Sequence, residues 1–324
     1  MTVSVIIPIY NVSRFIERCA ESLMQQTLDG VEYIFVNDAT PDNSIELLRG
    51  VLERYPNKAA WVRIIEHAQN KGLPAARNTG LAVATGEYVF HCDSDDYVEP
   101  TMLEQLYNAA KANDADYVWC DWFLSYDNNE RYMTQPAFAT PMEALKAMLD
   151  GRMKYNVWNK LVRRSLYVDN NISFPAGHGM GEDMTMIRLA ACATNVASVN
   201  KALYHYVRSN TEAMTQSFNE RHLCDVRHNV DETMAFLAQK GLDTEREMAL
   251  FKLNVKLPFL ITDDWSSYRR WGEWYPEANV YISENKGQPF RTRLLQLMAA
   301  KGFYAGVWLY YQVVYRFLYT ILYK

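Results

Sequence analysis

The stretch Tyr88-Val89-Phe90-His91-Cys92-Asp93-Ser94-Asp95-Asp96 sets a mostly apolar run directly against three acids within four positions. The run has strand length and β-forming residues, so it reads as a short buried strand opened by Gly86-Glu87. The acids then stand at its carboxyl end, where ligands bind in an open α/β sheet. Clustered carboxylates repel one another unless a cation or hydrogen-bond donors offset the repulsion. Hard oxygen ligands two residues apart suit Mg2+ or Mn2+ that also holds a diphosphate. A solvated acidic turn or helix cap would use the same residues, and Asp-x-Asp alone does not separate the two readings.

Upstream, Val3 to Ile9 is a β-branched run that predicts a fully buried strand, followed by the turn Tyr10-Asn11. Ser13 is placed to cap a helix whose inner face is Ile16, Cys19 or Ala20, and Leu23. Val31 to Val36 is a second strand ending at Asn37-Asp38, and Thr40-Pro41-Asp42 opens a helix with inner face Ile45, Leu48 and Leu52. Trp61 to Ile65 is a third strand, and Gly72 to Ala84 an Ala- and Gly-rich helix that can approach its neighbours closely. Downstream of the acids come a helix near Glu99 to Ala112 and the strand Ala115 to Cys120. Strands alternating with helices at this spacing predict βαβ units and a mostly parallel sheet.

Beyond Phe123 the alternation weakens. A polar loop at Asp127 to Glu130 precedes a short helix, Met142 to Leu149. The stretch Pro175-Ala176-Gly177-His178-Gly179-Met180-Gly181 predicts a mobile or sharply turned loop, and Glu182-Asp183 then open a helix from Met184 to Ala193. Two short strands fill Val196 to Val207. From Asn219 the pattern is helical, broken at Pro258, Asp263-Asp264 and Glu284 to Gln288, so we divide the chain near residue 218 into 1–218 and 219–324.

Composition narrows the function. With 33 basic against 38 acidic residues, the net charge of -5 leaves no basic footprint for nucleic acid. Five scattered cysteines fit reduced thiols of a cytoplasm better than a disulfide framework. Met1-Thr2-Val3-Ser4 passes straight into a strand, so no signal peptide is expected. Gly-x-Gly-x-x-Gly after the first strand, the Walker pattern and Gly-x-Ser-x-Gly are all missing, which disfavours dinucleotide redox chemistry, P-loop hydrolysis and the hydrolase elbow. Residues 303–323 carry a single charge, Arg316, and if helical would run about 32 Å. Gln312, Arg316 and Thr320 recur every four residues as one polar stripe among tyrosines. That pattern favours a helix lying in a membrane interface over one that spans, with a helix packed on its own protein as the plainer alternative.

Five pieces occur in a set order: Val5-Ile6-Ile7-Pro8-Ile9-Tyr10-Asn11, Val36 to Asp42, Asn70 to Gly80, Asp93-Ser94-Asp95-Asp96 and Gly181-Glu182-Asp183. Together they resemble the family 2 glycosyltransferases, inverting enzymes of the GT-A fold, over about residues 2–210. The nearest likeness is to bacterial enzymes of surface-polysaccharide assembly. Asn37, Ala39-Thr40 and Pro74 depart from the commonest wording of those motifs, yet no carboxylate that the chemistry needs is lost.

The resemblance implies a GT-A, Rossmann-like α/β sheet flanked by helices, with a helical C-terminal extension. It implies a nucleotide-sugar donor, most simply UDP-linked, and a saccharide or lipid-linked acceptor. Donor binding would fall to Pro8, Tyr10, Asn11, Asp38, Gly72, Arg77, Asp93 and Ser94, with Asp38 on uracil, an acceptor-only carboxylate facing the base N3–H. Arg77 would bind donor phosphate or brace the acids. Asp95 and Asp93 would hold Mn2+ or Mg2+, and Asp183 would be the catalytic base. His205 is a further candidate ligand, against the commoner case of a strand histidine in satisfied hydrogen bonds. Trp158 and Lys160 are candidates for the acceptor side, Trp158 equally for the core. Two rivals are weighed. A sugar-nucleotide pyrophosphorylase would need an N-terminal glycine-rich loop with Arg and Lys, which is missing; a non-catalytic assembly subunit would not need the intact acids.

Overall fold

The structure, a computed structural model, describes residues 1–209 and 220–318. The proposed division near residue 218 therefore lies outside the described residues. The chain forms two compact units, Met1–Leu145 with Tyr155–Lys240, and Lys146–Lys154 with Gly241–Lys324.

The first unit runs β1 (Val3–Ile9), α1 (Ile16–Met24), β2 (Val31–Asn37), α2 (Ser44–Leu52), β3 (Val62–Glu66), α3 (Leu73–Val83), β4 (Tyr88–His91), β5 (Tyr97–Val98) and α4 (Met102–Ala112). It continues with β6 (Tyr117–Ser125), β7 (Glu130–Met133), the start of α5 (Pro141–Asp150), β8 (Lys160–Arg163), α6 (Arg164–Asp169), α7 (Thr185–Ala190), β9 (Val196–Val207) and α8 (Glu220–Gln239). One sheet has the order β3-β2-β1-β4-β8-β6-β9-β5, with β7 on β6. β1, β2, β3 and β4 are mutually parallel, as their apolar runs predict. Past β4 the sheet is mixed: β8 runs antiparallel to both β4 and β6, while β9 returns parallel to β6. The parallel reading thus holds for the N-terminal half only.

Local chemistry sets several boundaries. Ser13 does not cap α1; its N–H donates to Asp42 Oδ2 at 2.8 Å. Asp42 also accepts from Ser44 N and Oγ, at 3.2 and 2.6 Å, so α2 begins two residues beyond it. Burial opposes that carboxylate, but the Ser44, Thr40 and Ser13 donors prevail and hold it at about 2. The two short strands expected at 196–207 are one strand with two irregularities against β6: Val199 and Ala202 become consecutive partners of Cys120 and Asp121, and Leu203 is skipped before Tyr204 meets Trp122. β6 extends to Ser125 because β7 and β9 pair with it on either side, and the polar loop expected at Asp127 to Glu130 ends where β7 begins. α8 belongs to the sheet unit: it buries Val230, Thr233 and Leu237, and Asn229 Nδ2 donates to Gly179 O at 2.9 Å.

The second unit contains the end of α5, then α9 (Glu245–Lys256), α10 (Trp265–Glu273), α11 (Phe290–Ala300) and α12 (Tyr304–Tyr310), the last continuing as a π-helical segment, Tyr311–Leu318. Residues 319–323 of the expected C-terminal helix, Thr320 included, lie outside the described residues. The expected breaks are visible: Pro258 sits in a 3-10 turn, and Asp264 caps α10 by accepting from Ser266 N and Ser267 N. Lys256 Nζ is buried, donating to Trp274 O at 2.7 Å and lying 4.0 Å from the centre of the Trp271 ring.

β1 and α3 touch at one point that tolerates no side chain. A Cβ built on Gly80 would fall 2.4 Å from Ile6 Cγ2. Gly80→Ala therefore overpacks the junction and is expected to cost about 1–3 kcal/mol. Urea unfolding followed by far-UV circular dichroism checks this, and an unchanged midpoint would contradict the packing.

Candidate active site

The carboxyl ends of β1, β2 and β4 lie side by side and carry the N-terminal motifs. Beyond β1, Tyr10 is 48% exposed, and Asn11 takes a left-handed φ of 54° while its N–H donates to Thr40 Oγ1 at 2.8 Å. Pro8 is buried within β1, which fixes where that turn starts. Beyond β2, Asp38 is buried. Its Oδ1 accepts from Lys71 N at 2.8 Å and pairs with His67 Nδ1 at 2.6 Å, and its Oδ2 accepts from Gly72 N at 2.8 Å. Gly72 adopts φ 87°, the conformation that brings this N–H onto the carboxylate. Three of the four lone-pair positions are filled, so Oδ2 can accept one more N–H. His67, which sequence reading missed, is fixed on its other nitrogen by Thr79 Oγ1 at 2.9 Å. The signal was in the register: Asn37 pairs with Glu66, so Asp38 and His67 emerge together.

Beyond β4 the three acids separate by role. Asp96 is buried and accepts from Tyr204 Oη at 2.6 Å and Val207 N at 2.8 Å. Burial drives its carboxyl well above the ordinary range, helped by Asp95 and Asp93. The Tyr204 hydroxyl also accepts from Asp93 N at 3.2 Å, so one phenol fastens both ends of the turn. Ser94 is buried inside that turn, and Asp95 is half-buried. Asp93 Oδ1 accepts from Arg77 Nη2 at 2.7 Å. Arg77, on α3, is itself buried, and its Nε and Nη1 find no acceptor.

The acids fit a divalent cation of a particular kind. Among the described residues no three His, Cys, Asp or Glu side chains converge as a ready cation cage. Two carboxylates at a strand end match Mg2+ or Mn2+, ions that complete their shells with substrate phosphates. His205 does not join them as placed. Its Nε2 is engaged by Glu99 at 2.9 Å and its Nδ1 by Glu130 at 2.8 Å, and the ring stacks on Tyr97 at 4.1 Å. With both nitrogens occupied, it has no lone pair for a metal, and the hydrogen-bonded alternative describes it.

Asp183 arrives from the other side. Gly181, at φ 125°, turns the chain into the 3-10 turn Glu182–Met184 ahead of α7. Asp183 Oδ1 accepts from Val157 N at 2.8 Å. Burial and the neighbouring Glu182 push the Asp183 carboxyl up to about 7, against the pull of Arg77 and the Val157 N–H. Arg77 feels Asp93, Glu182 and Asp183 together, so acids eighty-nine residues apart in sequence meet around one guanidinium. Trp158 and Lys160, the candidates for the acceptor side, are both buried. Trp158 is buried between the rings of Tyr204 and Tyr206, at 4.6 and 5.1 Å, and Lys160 is 1% exposed.

Comparison with known proteins identifies the family. The family described as Glycosyl transferase family 2 matches residues 4–184. EpsJ of Bacillus subtilis, described as an uncharacterized glycosyltransferase, is 36% identical over 226 residues, 66% of this chain and 63% of that protein. The match thus spans under two thirds of that relative. The cholesterol galactosyltransferase of Borreliella burgdorferi is 33% identical over 277 residues, 80% of this chain and 74% of that enzyme. Among solved structures, Staphylococcus aureus TarS residues 1–349 with UDP-GlcNAc superposes with a TM-score of 0.71 at 20% identity, covering 96% of this chain and 92% of that one. The chain belongs to glycosyltransferase family 2, and its sheet unit has the GT-A fold.

Tyr204 is the test of the acid turn. Tyr204→Phe removes the donor to buried Asp96 and the acceptor of Asp93 N–H, at a cost of about 1–3 kcal/mol. A lowered melting temperature is expected; an unshifted one would mean the hydroxyl does not hold the turn.

Proposed function

We propose that the chain transfers a sugar from a UDP-linked donor to a hydroxyl of a saccharide or lipid-linked acceptor, with inversion, in the assembly of surface polysaccharide. The convergence of Asp93 and Asp183 on Arg77 carries this reading, because transfer needs a leaving side and an attacking side within one site. The remaining Asp38 lone pair suits uracil N3–H, with the exposed Tyr10 ring beside it and the Asn11 and Gly72 turns shaping the walls. The UDP-GlcNAc of TarS supports a uridine donor, and the Borreliella enzyme's name supports a lipid-type acceptor.

In the proposed mechanism Asp183 takes the proton of the acceptor hydroxyl as it attacks the anomeric carbon opposite the diphosphate, so the configuration inverts. A carboxyl near 7 suits this work, since the base must be ionised to act yet basic enough to accept a proton. Arg77, buried beside Asp93 with Nε and Nη1 lacking an acceptor, would stabilise the diphosphate through its charge, which matters more as the bond breaks. A Mn2+ or Mg2+ held by Asp95 and Asp93 would neutralise more of that charge. Release of nucleoside diphosphate from UDP-glucose, UDP-galactose, UDP-N-acetylglucosamine and GDP-mannose tests the reading. One UDP-sugar should be turned over, with activity rising as the pH passes through 7 and Asp183 loses its proton. Asp183→Asn should lower turnover by ~10²–10⁴ and leave UDP affinity unchanged. A variant with normal turnover, or one that no longer binds UDP, would assign Asp183 another task.

The second unit supports peripheral docking on the cytoplasmic membrane face. Among the described residues no helix is long and apolar enough to cross a membrane. The C-terminal run buries Val307 against its own unit but exposes Leu309, Val313 and Phe317, spaced by four. Arg316 Nη1 donates to Gln312 Oε1 at 3.2 Å, so those two polar groups do share a stripe. α11 exposes Phe290, Leu294 and Leu297 likewise. From Asn285 onward the sequence has six basic residues and no acid, the balance that anionic headgroups attract at about 1 kcal/mol per cation near the surface. The full chain should co-sediment with anionic liposomes and a chain ending at Gly302 should do so less. Equal recovery of both in the supernatant would mean the helix serves only its own unit.

A further inference from the structure

Among the described residues, Lys160 is the buried cation near the proposed site that the mechanism leaves without a task. It opens β8, a strand between β4 and β6, where Leu161 and Val162 are buried apolar neighbours. An apolar residue would fill that space without the several kcal/mol that desolvating an ammonium costs. Nζ instead donates to Asn156 O at 2.9 Å and to Asn159 Oδ1 at 2.6 Å. Asn159 is anchored in turn, its Nδ2 donating to Cys120 O at 2.8 Å on β6.

The Asn156 carbonyl belongs to the same peptide group as the Val157 N–H. That N–H is the donor to Asp183 Oδ1 at 2.8 Å. One planar peptide therefore has the Lys160 ammonium on its oxygen and the Asp183 carboxylate on its hydrogen. A cation on the oxygen draws electron density along the amide, which strengthens the N–H as a donor. None of the described ion pairs joins the two residues directly, so the peptide is their hydrogen-bonded link, beside the through-space attraction of their charges. Resting on the reading of Asp183 as base, we infer that Lys160 is a positioning residue for it, acting through the Asn156–Val157 peptide to hold the carboxylate in place and in its charged form.

Other groups around the pair do not replace this role. Arg77 reaches Asp183 through space but is committed to Asp93 by a direct bond. Glu182 and Asp93 work the opposite way, raising Asp183. Tyr155 and Tyr117 are the phenols whose protons Asp183 helps retain, and the Cys120 thiol lies beside Lys160. Burial pulls the Lys160 ammonium down to about 7 while Asp183 draws it back up, so both partners change charge in the same pH range.

The sign of the effect follows. Removing the cation makes the Asp183 carboxylate less favourable, so its titration moves up in pH. Carbon-13 NMR of protein labelled at aspartate reads this directly, with the Asp183 signal assigned by its loss in Asp183→Asn. In Lys160→Met and Lys160→Gln the Asp183 midpoint is expected to rise by roughly half to one pH unit. The acid limb of UDP-sugar turnover should follow, with UDP affinity unchanged. A midpoint identical to wild type in a folded variant overturns the inference. The unaltered protein gives a second test that needs no variant to fold: with lysine also labelled, the Lys160 and Asp183 signals should each show the other's midpoint as a second inflection. Two independent single inflections would equally overturn the link. An Asp183→Asn protein that turns over normally would remove the base reading instead, while the carboxyl shift still decides the coupling.

Discussion

The buried bond between Arg77 and Asp93, 2.7 Å long, is the constraint on which the site depends. Like charges gathered at a strand end repel, and four acids approach one another here: Asp93, Asp95, Glu182 and Asp183. A guanidinium is the cation suited to that position, because it stays charged when buried and presents donors in several directions. One donor is spent on Asp93, and Nε and Nη1 remain. Gly80 lies on the same helix and lets it approach β1 closely enough to bring the guanidinium beneath the acids. A fold detail and a charge detail thus have one origin: no side chain at residue 80, a cation at 77.

The acids at the end of β4 show how one motif is divided by burial. Asp93 and Asp95 keep some exposure and can meet a ligand. Asp96 is sealed, satisfied by Tyr204 and Val207, and serves the turn. Sequence spacing alone gives no means of sorting these three, because the decision is made by β9, over a hundred residues away. Of the two irregularities of β9, the skip of Leu203 between the partners Ala202 and Tyr204 changes the phase of the strand, and with it the side from which Tyr204 approaches Asp93 and Asp96.

This explains what could be read in advance. The parallel strands β1 to β4 were legible from their apolar and β-branched residues, nearly continuous in β1, β2 and β4 and interrupted by Arg63 in β3, with candidate residues at the carboxyl ends of β1, β2 and β4. The order of motifs singled out Asp38, Arg77, Asp93 and Asp183 as candidates without any knowledge of contacts. His67, Tyr204 and the Lys160 peptide link were not legible. Each depends on strand register or on a backbone amide, and neither leaves a mark in residue type. His205 illustrates the opposite case. An imidazole near acids suggests a ligand, but Glu99 and Glu130 arrive from separate elements and take both nitrogens. The antiparallel half of the sheet was missed for a related reason: β8 is four residues long, and its pairing partners are chosen by the strands on either side.

Charge is unevenly distributed along the chain, and this bears on how an anionic donor would be held. The six bases after Glu284 leave 27 bases against 38 acids in the residues before them. A nucleoside diphosphate sugar approaching the proposed site thus meets a portion of chain whose net charge opposes it, so long-range attraction cannot supply the binding. Binding must come from short-range donors, which salt screens far less once they are buried. The Arg77 guanidinium is the cation in place there, and a divalent cation on Asp93 and Asp95 would add to it. The same net charge raises the cost of ionising Asp183, which is already surrounded by Glu182 and Asp93. In the proposed mechanism a base in such surroundings needs a cation of its own, and the Lys160 ammonium, one peptide away, would supply it without competing with the donor phosphates for Arg77.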